Sequence, residues 1–113
     1  MKIWFFISIA SMVLLTSACS STFLVVKNGR STFVGSDSQE KFDLLCASGD
    51  LEKVLADSHM EPAMKNTFYK YNCSTERSSD KVKQIFAAMT VDERRDIKSA
   101  FRKNGYEINK MFC

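Results

Sequence analysis

The sequence is poor in the residues from which most catalytic and metal centres are built. Its 113 residues include one histidine, one proline, one tryptophan and four glycines. Hydrolytic triads, zinc sites and proton shuttles lean on histidine. His59 stands on a connecting stretch with no second histidine to complete a constellation. His59 and Met60 are adjacent and cannot bind opposite faces of one haem iron, and there is no Cys-x-x-Cys-His attachment. A nucleophilic pair of Cys73 with His59 has to compete with disulfide formation for the thiol. Gly29, Gly35, Gly49 and Gly105 are scattered turn glycines, not a phosphate-cradling loop. Asp37, Asp43, Asp50 and Asp57 fit helix starts and solvated faces better than a calcium loop. The expectation is therefore no metal, no cofactor and no enzymatic activity.

Strong charge of one sign is also missing. Sixteen Lys/Arg against 13 Asp/Glu give a formal net charge of +3. That mild balance argues against a nucleic-acid partner. There is no internal repeat, no low-complexity segment and no acidic or basic tail. No apolar run reaches the roughly 20 residues of a membrane span. The longest, Ile3 to Leu15, is broken by Ser8 and Ser11.

That run is what an export signal looks like. Lys2 supplies the positive start, the apolar stretch follows, and the small residues Thr16, Ser17 and Ala18 precede a candidate cut. Leu15-Thr16-Ser17-Ala18-Cys19 resembles the lipobox of bacterial lipoproteins. Leu15 stands one place further from the cut than is most typical, with Thr16 in its usual slot. The resemblance covers the first 19 residues. It implies a signal peptide over 1–18 and a diacylglycerol (palmitate-type chains) on the sulfur of Cys19. It further implies a membrane-bound cell-envelope protein. With Ser20 rather than aspartate in second place, the analogy favours the outer membrane where the host has one. The competing reading is ordinary cleavage after Ala18 and free secretion, since Thr16-x-Ala18 also satisfies a small-x-small rule.

The fate of Cys19 sets the cysteine arithmetic. Acylated, it leaves Cys46, Cys73 and Cys113, one bridge and one leftover; free, it allows two bridges. Export implies an oxidising compartment. Cys46 with Cys73 is the preferred pair, tying two neighbouring helices; Cys73 with Cys113 is the runner-up.

Residues 19–113 form one small domain by length. Phe23–Val26 and Ser31–Val34 flank Asn28-Gly29, the dipeptide that best tolerates the two positive φ angles of a type I′ turn. A hairpin over 22–34 should pair Val26 with Ser31 and Leu24 with Phe33. Residues 36–105 read as helices. Ser36 with Gln39 fits a capping box, and Phe42, Leu45 and Cys46 share a face. Gly49 ends that helix and Asp50 caps the next, which carries Leu51, Val54 and Leu55. Leu44–Leu55 resembles the helix-turn-helix core of an ankyrin repeat, in a single copy, and implies only a tight helical hairpin. Pro62 suits the first turn of a third helix with Met64, Phe68 and Tyr71 on its face. Ser78 or Ser79 opens a fourth, with Val82, Ile85, Phe86 and Met89 at spacing i, i+3, i+4, i+7. Thr90 and Glu93 form a second capping box, and Ile97, Ala100 and Phe101 face inward. Asn104-Gly105 ends that helix, and a C-terminal tail over 106–113 folds back. The predicted fold is mainly α: a compact, disulfide-stabilised bundle of about five short helices with an N-terminal β-hairpin.

The strongest pattern outside the core is Arg94, Lys98 and Arg102 at i, i+4, i+8, with Arg95 and Lys103 alongside. It reads as a solvated helix face, or as a patch facing anionic headgroups or an acidic partner. The functional expectation is a non-enzymatic accessory or protein-binding module anchored at the membrane, with an envelope protein as partner. A carrier of a small apolar ligand, using Met64, Met89, Met111 and the phenylalanines, is the alternative. A freely secreted two-disulfide module is a further one.

Overall fold

Two strands open the fold in the computed structural model, which describes residues 22–109. The expectations for the signal segment, Cys19, Met111, Phe112 and Cys113 lie outside the described residues. Strand β1 (Leu24–Lys27) and strand β2 (Arg30–Phe33) are joined by Asn28 and Gly29, whose φ angles are 55° and 75°. Both are positive, as a type I′ turn requires. Leu24 lies opposite Phe33 and Val26 opposite Ser31, the register expected from the turn. Val25 and Thr32 point into the core, while Phe33 stays 41% exposed.

The described part of the C-terminal tail forms a strand that the sequence does not suggest. Glu107–Asn109 forms a third strand, β3, antiparallel to β1, with Val25 opposite Ile108 and Leu24 opposite Asn109. The sheet order is β2-β1-β3. A hairpin alone is marginal in water; here the third strand covers its second edge and the helices cover one face.

Five helices follow. Helix α1 (Gln39–Phe42) passes into one π-helical turn, Asp43–Ala47. The capping box expected at Ser36 is absent. The helix starts two residues later, at Ser38, and the Ser36 hydroxyl accepts from the Ser38 N–H instead. Gln39 reaches forward to Asp43. Helix α2 (Asp50–Asp57) begins after Gly49 at φ 80°, so Gly49 and not Asp50 holds the cap position. Pro62 opens helix α3 (Pro62–Cys73). Ser78 caps helix α4 (Ser79–Ala88), accepting from the Lys81 N–H at 3.3 Å. Helix α5 (Val91–Lys103) carries the full capping box: Thr90 Oγ1 accepts from the Glu93 N–H, and Glu93 Oε1 accepts from the Thr90 N–H.

The sheet meets the helices through aromatic rings. Phe23 is wedged between Phe86 on α4 and Phe101 on α5, edge to face, at centroid distances of 5.0 and 5.5 Å. Phe86 meets Phe68 at 5.4 Å, and Phe101 meets Tyr106 at 5.5 Å. Such pairs add about 0.5–1.5 kcal/mol each beyond their burial. Gly35 lies so close to α4 that a Cβ there would stand 2.7 Å from Val82 Cβ. Cys46 is bridged to Cys73, with the Cα atoms 5.5 Å apart. The preferred pairing holds, and the Cys73–Cys113 alternative is excluded because Cys73 is taken.

Candidate functional site

Helix α5 carries the basic residues singled out in the sequence, and the structure sorts them. Val91, Arg95, Lys98 and Arg102 follow at steps of four, three and four, which on a helix of 3.6 residues per turn is one face. Together with Arg94 they line a surface groove of about 450 Å³. Val91 is 67% exposed. Arg94 turns its guanidinium to the end of α4, donating to the carbonyls of Phe86 at 3.0 Å and Ala87 at 3.3 Å. There it brings a positive charge to the C-terminal end of α4, where the Phe86 carbonyl also accepts from the Met89 N–H at 3.2 Å. Arg95 pairs with exposed Asp92 at 3.4 Å, a contact worth little in water. Lys103 does not join the groove; its charge acts on Asp96, on another face of α5.

Lys98 connects this face to the first of the described residues. Its ammonium lies 5.5 Å from the centroid of the Phe23 ring. Phe23 is four residues after Cys19. Thr22 is fixed by a hydrogen bond from its hydroxyl to the Val34 carbonyl at 3.0 Å. Because Leu24 lies opposite Asn109, the described chain begins and ends side by side on this sheet.

A second surface feature lies between α3 and α4. It is a cleft of about 480 Å³, floored by Met64, Tyr71, Ile85, Ala88 and Met89 and rimmed by Glu61, Lys81, Gln84 and Glu93. Part of the face read as core, Met64, Tyr71 and Ile85, is therefore only half buried. Its size reaches the lower range of ligand pockets.

By sequence, His59 stands on a loop without a partner. The structure gives it one: the His59 ring Nδ1 and its backbone N–H both contact the Asp96 carboxylate at 2.8 Å. Burial alone would raise the Asp96 pKa. The hydrogen bonds from His59 and the charge of Lys103 outweigh it and hold the carboxylate below its usual value. The His59 side chain is 87% exposed. Beside the pair lie Met60, Glu61, Met64, Asp92 and Glu93. The contact clasps the α2–α3 connection to α5.

Asp50, expected as a cap, is instead the centre of a polar cluster. Its Oδ2 accepts from the Tyr106 hydroxyl at 2.8 Å and from Lys27 Nζ at 3.1 Å, and the Lys27 ammonium lies 5.0 Å from the Tyr106 ring centroid. Burial favours the protonated acid, but these donors more than offset it, so Asp50 also titrates below its usual range. The Tyr106 hydroxyl is pushed well above its ordinary value, first by burial and then by the Asp50 charge. No local pattern could have shown either contact, since the partners lie 37 and 56 residues apart.

Among the described residues no group of three His, Cys, Asp or Glu side chains is placed to hold a metal ion. No helix among them is long and apolar enough to cross a membrane. No protein-family model matches the chain, and neither curated proteins nor solved structures give a match.

Proposed function

We propose that this chain is a lipid-anchored protein of the bacterial cell envelope, whose domain is a non-enzymatic accessory module that recruits a protein partner at the membrane. The observation that carries the reading is the sequence Leu15–Cys19, followed almost at once by folded structure at Thr22. A buried acyl CH₂ contributes about 0.8 kcal/mol, so one chain binds marginally and several hold firmly. Cys19 would carry those chains, and Ser20 in second place favours the outer membrane in a two-membrane host. The test is fractionation of the full-length chain expressed in a bacterial host. Native chain should remain with membranes after a high-salt wash, and Cys19→Ser should abolish that retention. Retention of Cys19→Ser equal to native would overturn the reading.

Free secretion with a second bridge is the rival, and one observation favours it. With Leu24 opposite Asn109, five residues separate this pair from Cys19 and four from Cys113. Those lengths allow a Cys19–Cys113 disulfide when Cys19 carries no lipid. The apolar-ligand carrier draws instead on the α3–α4 cleft; titration with a fluorescent fatty acid tests it, and absence of saturable binding would remove it.

A further inference from the structure

We infer that the α5 face formed by Val91, Arg95, Lys98 and Arg102 is a docking surface for anionic phospholipid headgroups, and that it orients the domain on the membrane holding its anchor. The inference rests on the reading that Cys19 carries the lipid.

Two independent observations meet here. The first is the leash. Cys19 lies four residues before Phe23, and a fully extended chain covers at most about 3.6 Å per residue, so the lipid lies within about 14 Å of Phe23. Lys98 sits against the Phe23 ring. The lipid attachment is thus tethered near the basic face, since the Lys98 ammonium lies 5.5 Å from the centroid of the Phe23 ring on which the leash is fixed. The second is the composition of the face. Arg95 and Arg102 are exposed along one helix, with Lys98 half-buried between them against Phe23, and two carboxylates of the same helix are engaged elsewhere. Glu93 closes the capping box, and Asp96 is held by His59. Asp92 contacts Arg95 through a long exposed bridge. Val91, the most exposed large apolar side chain of the described residues, stands at one end of the same row. Cations flanking an exposed aliphatic group suit a surface whose outer layer is phosphate and whose next layer is hydrocarbon.

The test uses the mature chain, residues 19–113, with Cys19→Ser, which keeps every described residue and removes the lipid. Its co-sedimentation is measured with vesicles of phosphatidylcholine alone and with about 30 mol% phosphatidylglycerol, at about 20 mM salt where screening is weak. Binding is expected only to the anionic vesicles and should fall as salt is raised. Each basic residue near an anionic surface contributes about fivefold, so R95Q/K98Q/R102Q should weaken partitioning about 100-fold. K53Q/K65Q/K70Q removes equal charge from α2 and α3 and should change it by less than about twofold on the same argument. Equal losses in the two triple variants would overturn the inference in favour of net charge. So would equal binding to both vesicle types, or none to either. Neither failure touches membrane retention of the native chain through Cys19, so the two readings fail separately. Circular dichroism of both variants checks that the fold is kept.

Discussion

The two ends of this small domain are held by different means. Where the sheet meets α4 and α5, four phenylalanines and Tyr106 lock edge to face, and Phe68, Phe86 and Phe101 are almost wholly buried. Where α1 meets α3, packing is thin. No residue of Gln39–Phe42 is buried, Leu45 is the one buried residue of the following π turn, and the Cys46–Cys73 bridge joins the elements. A segment with little apolar area to bury needs another constraint, and small exported domains commonly use disulfides for it. The comparison teaches that the bridge stands in for a core at one end. The aromatic junction needs no such help, and it is the end that carries the basic face and the start of the described chain.

The largest expected effect comes from breaking the packed end. Phe101→Ala should cost about 3–5 kcal/mol, from lost transfer free energy and the cavity left behind. Urea denaturation would read it, and Phe101→Leu should recover more than half. Breaking the other end should cost less. A closed loop of this length contributes about 3.5 kcal/mol on the chain-entropy account, so Cys46→Ser/Cys73→Ser should lower stability by about that amount. Amide exchange should then speed up over residues 39–47 while the α5 amides keep the protection that global stability allows. Uniform acceleration throughout would break the comparison, since it would make the bridge a support of the whole domain.

Gly35 sharpens it further. Gly35→Ala combines a φ of 87° with a Cβ placed 2.7 Å from Val82 Cβ and should cost about 2–3 kcal/mol. Gly49→Ala, also at positive φ but with open space around it, should cost about 1 kcal/mol. Equal losses in melting experiments would mean that the close approach to α4 carries no energy.

A smaller effect than those of Phe101 and the bridge depends on pH. Asp50 and Asp96 both titrate below their ordinary value in the folded protein. Their contribution is therefore fully present above the unfolded carboxylate pKa of about 3.9 and is lost as pH falls through the lower folded values. Asp50→Asn should destabilise by about 1–2 kcal/mol at pH 7. It should also flatten the loss of stability below about pH 4. An unchanged acid limb would show that the Lys27–Asp50–Tyr106 cluster is not what acid breaks.

Much of this fold was legible because its signals are local. Asn28-Gly29 fixes the hairpin register, Thr90 and Glu93 start α5, and the i, i+3, i+4, i+7 spacing places Val82 and Phe86 inside. What escaped depends on distant residues. Glu107–Asn109 is too short and polar to read as a strand, and becomes one because β1 offers an unpaired edge. Ser36 lost its capping role because the chain turns at Gly35 and the helix begins only after Ser38. Asp50 had a plausible local task and was taken by Lys27 and Tyr106. The basic row on α5 was visible as charge. That Arg94 serves the end of α4 and Lys103 faces Asp96 depended on how α4 and the α2–α3 connection pack against α5.

The central claim concerns Cys19, and the most direct measurement is the intact mass of the mature protein from its native host, before and after thiol alkylation without reductant. The account predicts a chain beginning at Cys19 with added acyl mass and a single alkylated thiol, Cys113, since Cys46 and Cys73 are bridged. An unacylated chain beginning at Cys19 with no alkylated thiol would contradict it. That result would make the protein a secreted two-disulfide module and remove the basis for placing the α5 face on a membrane.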